Sequence, residues 1–406
     1  MTLPYQVMAK PVGAICNLNC RYCFYLEKEH LYQTDPAKIF MSVDVLESFI
    51  RQKLETSVNQ TESFTWQGGE PTLLDVDYYR KILAIQQKYA NGKKVKNAFQ
   101  TNGILLNDEW CRLFAENDFL VGISIDGPEE FHDHYRIDKG GHPTFSAVLE
   151  GIELLKKHGV SFNTLTVVND HNADKPRQVY EFLKDIGSQF QQYIPIVERK
   201  RINSSDDRLE LVLPDTDKAR ITDWSVKPEQ YGKFLIDIFD VWVRNDVGNI
   251  FVQLFDVALE VWAGLPASLC IFSETCGRAL ALEYNGDLYS CDHFVFPRYR
   301  LGNILEQPIP TLVDSDQQIK FGNDKQNRLP DYCQRCDVKF ICQGGCPKNR
   351  FMTTPTGESG LNYLCPAYKT FFQYIDPYMK FMTGELRCGR PPANVMKWIA
   401  ENDQNS

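Results

Sequence analysis

Apolar and polar positions alternate in two rhythms along the first half of the chain. The short runs "QVMAKPV", "SFTWQGG", "NAFQTNG", "LVGISIDG", "SFNTLTVV" and "QQYIPIV" look like six strands. Between them lie longer amphipathic segments that predict helices: "SVDVLESFIRQKL", "DYYRKILAIQQKY", "NDEWCRLFAEN", "FSAVLEGIELLKKHG" and "KPRQVYEFLKDIG". Several end on Gly or another turn residue, as helix stops do. Six such βα repeats imply an α/β chain with a parallel sheet and helical crossovers, either doubly wound or part of a barrel. Both architectures put chemistry at the C-terminal ends of the strands. The notable residues obey that rule: a cysteine triplet follows the first strand, "GGEP" the second, "TNG" the third and "SIDG" the fourth.

The rhythm then changes. Residues 198–227 are polar and charge-mixed, which predicts a solvated surface loop, with a substrate-contacting loop as the alternative. "PEQYGKFLIDIFDVWVRNDVG" is amphipathic and "IFVQLFDVALEVWAGL" more apolar; they read as helices, or a helix and a strand, bridging to a second region. Residues 270–365 are cysteine-rich with short strand-like pieces such as "ALALEYNGDLYSC". An amphipathic segment near 366–382 predicts a packing helix, and the terminal "AENDQNS" should fray.

With 406 residues there is room for two or three full cores. The net charge of −9 and the absence of any concentrated Lys/Arg run argue against nucleic acid or an anionic membrane as partner. The sequence has neither the apolar core of a signal peptide at "MTLPYQVMAK" nor a stretch long and apolar enough to span a bilayer, so a cytoplasmic location is expected. Thirteen cysteines are many for such a chain. In a reducing compartment, clustered cysteines read as metal ligands.

Cys16, Cys20 and Cys23 stand as C-x3-C-x2-C. A structural zinc would need a fourth ligand, which His30 would have to supply. A 4Fe–4S cubane held by three thiolates instead keeps one iron open to a chelating small molecule. The eight later cysteines are Cys270, Cys276, Cys291, Cys333, Cys336, Cys342, Cys346 and Cys365, enough for two complete four-cysteine sites, of zinc or of iron–sulfur. Their partition is not written in the spacing. Cys111, inside a helical pattern, reads as a buried small hydrophobe and Cys388 as a surface thiol.

The triplet with Tyr22 before its third cysteine, followed by "QGGEP", resembles the radical S-adenosylmethionine superfamily, and the later set resembles its SPASM extension. Within that group, "KPVGAICNLNCRYCFYLEKE", "FTWQGGEPTL", "FQTNGILLNDEW", "GISIDGPEEFHDHYR", "YSCDHFVFPRYRLGNI" and "CQGGCPKNR" are similar to the anaerobic sulfatase-maturating enzymes over nearly the whole chain. One departure is Asp75, where a glycine is expected in many members.

The resemblance implies a partial (β/α)6 TIM-type barrel over residues 1–240, a SPASM domain over 241–365 and a terminal helix and tail over 366–406. It implies S-adenosyl-L-methionine and three 4Fe–4S clusters. The first cluster would sit on Cys16, Cys20 and Cys23, the second on Cys270, Cys276, Cys291 and Cys346, and the third on Cys333, Cys336, Cys342 and Cys365. Tyr22, Gly68, Gly69, Glu70, Ser124, Asp126, Arg136 and Val197 fall where the family contacts its cofactor. The glycines are expected to allow close approach, Glu70 to receive the ammonium, Ser124, Asp126 and Arg136 to meet ribose and carboxylate, and the backbone at Val197 to meet adenine. The implied substrate is a Cys or Ser of a sulfatase, oxidised to Cα-formylglycine, with an external electron donor such as flavodoxin or ferredoxin.

That reaction needs a base, and Asp292, beside Cys291, is the candidate, with His293 the alternative. An ordinary carboxylate taking a thiol proton runs uphill by about 6 kcal/mol. The base is therefore expected to act with or after hydrogen abstraction, its pKa raised by neighbouring thiolates. A rival reading is another SPASM enzyme that crosslinks peptides; its frequent leader-binding domain would have no room before Cys16. A non-catalytic iron–sulfur carrier or zinc-stabilised module would need neither the βα units nor "GGEP".

Overall fold

The computed structural model describes residues 4–31, 40–201, 212, 216 and 218–403. Six parallel strands carry the first half: β1 Gln6–Lys10, β2 Thr61–Trp66, β3 Lys94–Thr101, β4 Leu120–Ser124, β5 Phe162–Val168 and β6 Phe190–Pro195. They lie side by side in chain order, matching the six apolar runs. The crossovers are α1 Val43–Thr56, α2 Val76–Tyr89, α3 Asp108–Glu116, α4 Glu129–Tyr135, α5 Phe145–Lys157 and α6 Pro176–Asp185. Their starts are set by side-chain caps: Ser42 accepts from Val45 N, Asp75 from Tyr78 N, and Asn107 from Glu109 N and Trp110 N. Asp75 thus has a local job outside the site. The seven residues of α4 are too few to show a helical period, so the pattern did not reveal them.

The sheet is wider than the repeats predict. After α7 Pro228–Asn245, the chain forms the two-residue strand β9 Phe251–Val252, which pairs with β6, and runs straight into α8 Gln253–Trp262. On the opposite edge β10 Ala279–Glu283 pairs with β1 in parallel, Lys10 opposite Glu283. A hairpin then adds β11 Asp287–Tyr289 and β12 Arg300–Asn303, completing the order β12-β11-β10-β1-β2-β3-β4-β5-β6-β9. The ends of this ten-stranded sheet are not joined, which is a partial barrel. The cysteine-rich region is therefore grafted onto the barrel's own sheet, and the expected division at residue 240 falls inside α7.

Helix Cys365–Arg387 packs along α7, where Gly232 leaves only room for backbone: a Cβ there would lie 3.1 Å from Ala367 Cα. Phe239 and Phe371 meet edge to face across that seam. The tail departs from expectation. Residues 394–403 form a helix because Val395 and Ile399 are buried in the same core, so "AEND" is held in place; residues 404–406 lie outside the described residues. The described ends of the 198–227 stretch are more structured than a solvated loop; residues 202–211, 213–215 and 217 lie outside the described residues. Its ends pair as β7 Arg199–Arg201 and β8 Ala219–Ile221, and Trp224 is buried against the Tyr22 and Tyr135 side.

Candidate active site

The loop after β1 is stitched to the turn after β2. Gly69 N donates to Gly13 O and Glu70 N to Ile15 O, both at 2.8 Å. A Cβ on Gly69 would sit 1.8 Å from Ile15 O, and Gly68 has φ +140° with Gly13 O 2.9 Å from its Cβ position. The glycines are thus required by the protein's own backbone, since the thiol-bearing loop lies directly on them. Both glycines also line the cavity described next, so their bare backbone faces the expected cofactor space as well.

Cys16, Cys20 and Cys23 line a cavity of about 300 Å³ together with Tyr22, Gly68, Gly69, Glu70, Ser124 and Arg136. Burial pushes all three thiols up, Cys16 to about 12, so each stays protonated unless a cationic centre takes the thiolate. Among the described residues no three His, Cys, Asp or Glu side chains converge as the ligands of one ion do. The thiols surround a hollow instead. His30, the fourth ligand of the zinc alternative, has its side chain outside the described residues.

Glu70 Oε1 accepts from Thr72 N, Thr72 Oγ1 and Thr101 Oγ1 at 2.6–3.0 Å, and Oε2 from Asn102 N at 2.7 Å. One carboxylate thereby locks the β2 and β3 turns together. Ser124 Oγ accepts from Gln100 Nε2 at 3.1 Å, and both residues face the cavity.

Two of the expected contact residues lie behind the cavity lining. Asp126 is fully buried and does not line the cavity; its oxygens accept from Arg136 Nη2 (3.1 Å), Val167 N (2.9 Å) and the Tyr22 hydroxyl. It orients Arg136, whose guanidinium also lies 5.6 Å from the Tyr22 ring centre and does reach the cavity. The Val197 side chain packs into the core while its neighbours Ile194, Pro195, Ile196 and Glu198 line the cavity, which leaves its backbone as the part expected to meet adenine.

Asp292 also lines the cavity, in a short 3-10 turn after Cys291. Its Oδ1 is 2.5 Å from Lys10 Nζ, and Lys28 Nζ donates to its carbonyl oxygen at 3.1 Å. Burial would raise the carboxyl pKa, but the Lys10 and Lys28 ammonium charges outweigh it and hold the group well below the carboxylate range. The expectation of a raised pKa is therefore reversed in the protein's own field. Both lysines are buried. Lys10 lies 3.7 Å from the Tyr25 ring centre, and the Tyr25 hydroxyl donates to Glu283. His293 is lowered to about 4 by burial and by Lys348, and its Nδ1 lies 3.6 Å from Cys346 Sγ.

The eight later cysteines fall into two groups. Cys346 lies within charge-interaction range of Cys270, Cys276 and Cys291. Cys333, Cys336, Cys342 and Cys365 line one separate small cavity. The structure thus brings together the crossed sets that the family resemblance implies. Lys325 Nζ donates to Cys270 O and Ile271 O at 3.0 and 3.1 Å, and Arg350 to Gln343 O, Gly344 O and Gly345 O, which pins the loops of both groups. Cys111 is buried and Cys388 exposed, as their sequence settings suggest.

Comparison with known proteins is decisive at this point. The family described as Radical SAM superfamily matches residues 11–183, and the SPASM family, described as Iron-sulfur cluster-binding domain, matches 270–337. A serine-type anaerobic sulfatase-maturating enzyme of Bacteroides thetaiotaomicron is 49% identical over 398 residues, covering 98% of this chain and 96% of its own. The chain belongs to the anaerobic sulfatase-maturating enzymes. The cysteine-type sulfatase-maturating enzyme of a Clostridium perfringens strain is 34% identical, over 92% of this chain and 97% of its own. The solved structure described as native anSMEcpe with bound AdoMet and Cp18Cys peptide shares 33% identity and a TM-score of 0.81, covering 94% of this chain and 99% of its own. Streptococcus suis SuiB, at 16% identity and TM-score 0.59, shares the fold alone, over 90% of this chain and 77% of its own.

Several residues that line or brace the cavity of this sulfatase-maturating chain escaped the sequence reading: Lys10, Lys28, Gln100, Asn102 and Glu283. Lys10 carried a signal, since a lysine in the apolar run "QVMAKPV" demands a buried partner. Gln100 and Asn102 flank the end of β3, where site residues gather.

Proposed function

We propose that this enzyme oxidises a Cys or Ser side chain of a sulfatase polypeptide to Cα-formylglycine. The observation that carries the reading is one cavity lined at once by the three-thiol loop, the Gly-Gly-Glu turn, Arg136 and the lysine-paired Asp292. Cys16, Cys20 and Cys23 would hold a 4Fe–4S cluster, which would supply the electron for reductive cleavage of S-adenosyl-L-methionine to methionine and a 5′-deoxyadenosyl radical. The donor set fits that group: three buried thiols around a hollow leave one corner for the cofactor.

Arg136, braced by Asp126 and Tyr22, offers its guanidinium to the cofactor carboxylate. Glu70 Oε2, with a single protein donor, takes the ammonium, and Gln100 with Ser124 faces the ribose. The wall Ile194–Ile196 excludes water. Asp292 takes the thiol or hydroxyl proton. Being held ionised by Lys10, it is always ready to accept, yet too weak a base to deprotonate the resting substrate. The transfer therefore accompanies or follows loss of the Cβ hydrogen, which acidifies the neighbouring X–H. The second electron would pass to an oxidised iron–sulfur cluster; a serine then yields the aldehyde of formylglycine directly, whereas the thioaldehyde from a cysteine takes up water and releases hydrogen sulfide.

The sets Cys270, Cys276, Cys291, Cys346 and Cys333, Cys336, Cys342, Cys365 would each hold a further 4Fe–4S cluster. The barrel unit is assigned through the end of α7 at Asn245, the SPASM unit from there to residue 365 and the terminal helices to 366–406. A flavodoxin or ferredoxin supplies electrons. No helix of the described residues is long and apolar enough to cross a membrane, in keeping with a cytoplasmic setting.

Anaerobic reconstitution, iron counting and mass spectrometry of Cys- and Ser-containing sulfatase peptides test this. Formylglycine with stoichiometric 5′-deoxyadenosine supports it. Crosslinked products without formylglycine, or no cofactor cleavage at full iron content, refute it.

A further inference from the structure

A groove of about 900 Å³ lies beside the reaction cavity. The two share walls at three separate points of the chain. Glu198 faces the cavity and Arg199 the groove; His293 faces the cavity and Phe294 the groove; Asn349 faces the cavity and Arg350 the groove. A polypeptide whose target side chain reaches the cavity thus continues into the groove.

Its rims are two short hairpins, β7–β8 and the pair β13 Met352–Thr353 with β14 Ser359–Leu361. The Arg199 guanidinium, 4.3 Å from the Phe351 ring centre, joins them. Six basic side chains line the groove, and among the described residues Asp324 is the one carboxylate there. Lys325 and Arg350 form the floor and spend their donors on backbone carbonyls, so their charge is fixed in place. Arg220, Arg298 and Arg328 are exposed on the walls; Arg328 Nε lies 3.3 Å from Asp324. Phe294, Phe321 and Met352 give the same groove apolar surface. On a chain of net charge −9, such a concentration of positive charge selects an anionic partner.

We propose that this groove binds an acidic stretch of the substrate polypeptide, outside the motif that carries the modified residue. The proposal rests on the reading that the cavity modifies a polypeptide side chain. The shape favours this occupant, because a concave trough between two hairpin rims takes an extended chain.

The test uses the reconstituted full-length protein and its double variant Arg220→Glu/Arg328→Glu, matched for iron content. Two labelled sulfatase peptides share one target motif and differ beyond it, one with a Glu-rich flank and one with Gln in those places. Affinity is read by fluorescence anisotropy, and turnover by formylglycine mass spectrometry with a chemical reductant. The Glu peptide is expected to bind the wild type more tightly, with an advantage that fades as salt rises. The double variant should weaken it by about tenfold, as loss of a few charge contacts does. KM rises, kcat and peptide-free 5′-deoxyadenosine formation hold, the Gln peptide is unaffected, and Arg220→Lys/Arg328→Lys restores binding. Equal affinity of both peptides for the wild type, or equal losses in the variant, overturns the proposal. So does unchanged peptide affinity with slower turnover only when ferredoxin or flavodoxin replaces the chemical reductant, or with an altered oligomeric state; these would mark a redox or self-association surface. A retained Glu preference in binding with no formylglycine from any peptide upholds the groove and instead refutes the assigned reaction.

Discussion

Lys10, the last residue of β1, places its ammonium 2.5 Å from the carboxylate of Asp292, which follows the cysteine at position 291. The first strand of the barrel and the loop of the cysteine-rich region are thus joined by one ion pair, its lysine buried and its carboxylate at the cavity wall. Lys10 is also opposite Glu283 in the β1–β10 register, so the same sheet pairing that fuses the two regions sets the geometry.

Removing the lysine tests that join. Lys10→Met leaves Asp292 beside only Lys28 and should cost about 3 kcal/mol of stability, as loss of one partner of a largely buried pair does. Formylglycine production is expected to fall far more than S-adenosyl-L-methionine cleavage. Equal loss of both in a protein with full iron content would show that Lys10 serves only the fold. Anaerobic denaturation, with both products quantified, distinguishes the two.

Asp292→Asn keeps the shape of the side chain and removes the proton acceptor. Reductive cleavage to 5′-deoxyadenosine should persist while formylglycine drops by about two orders of magnitude, the usual worth of a positioned base. Parallel loss of both products would assign Asp292 to cofactor binding.

Gly69→Ala has no room. Its Cβ would sit 1.8 Å from Ile15 O, and both partners are backbone, so the thiol loop must lift. The expected outcome is a protein that retains most of its secondary structure by circular dichroism but loads fewer irons and shows little cofactor cleavage. Retention of full iron content would mean that the loop has more freedom than its hydrogen bonds suggest.

His132 carries a pH signature. Burial, then the Arg136 charge, lowers its pKa to about 3; its Nε2 meets Thr144 Oγ1 at 3.1 Å. In the unfolded chain the imidazole takes a proton near pH 6.5, and the folded form refuses it until about pH 3. The unfolded state therefore binds more protons in that window, and stability falls as pH drops below about 6.5. His132→Asn should lower stability at pH 7.5 yet flatten the decline between pH 6.5 and 5, as measured by denaturant titration. An unchanged slope would assign the acid sensitivity elsewhere.

Much of the fold was legible because it is local. Apolar runs with capped amphipathic segments between them encode six strands and their crossovers, and the period-two and period-3.6 patterns are properties of neighbouring residues. The motif residues were legible for the same reason, since Cys16, Cys20 and Cys23 lie within eight positions and Gly68–Glu70 form one short turn. The seven-residue helix α4 is too short to show a helical period and the two-residue strand β9 too short to alternate, so neither could be seen.

The sequence by itself determined the βα order, the three-thiol loop and the candidacy of Asp292 through its place beside a cysteine. Tertiary structure decided which residues actually meet. Asp126 turned out to brace Arg136, Val197 to face the core, and the glycines to serve the loop lying on them. The crossed cysteine grouping, the Lys10–Asp292 pair and the cationic groove all join segments far apart in the chain. Such contacts depend on how strands register and elements pack, and no local pattern records them.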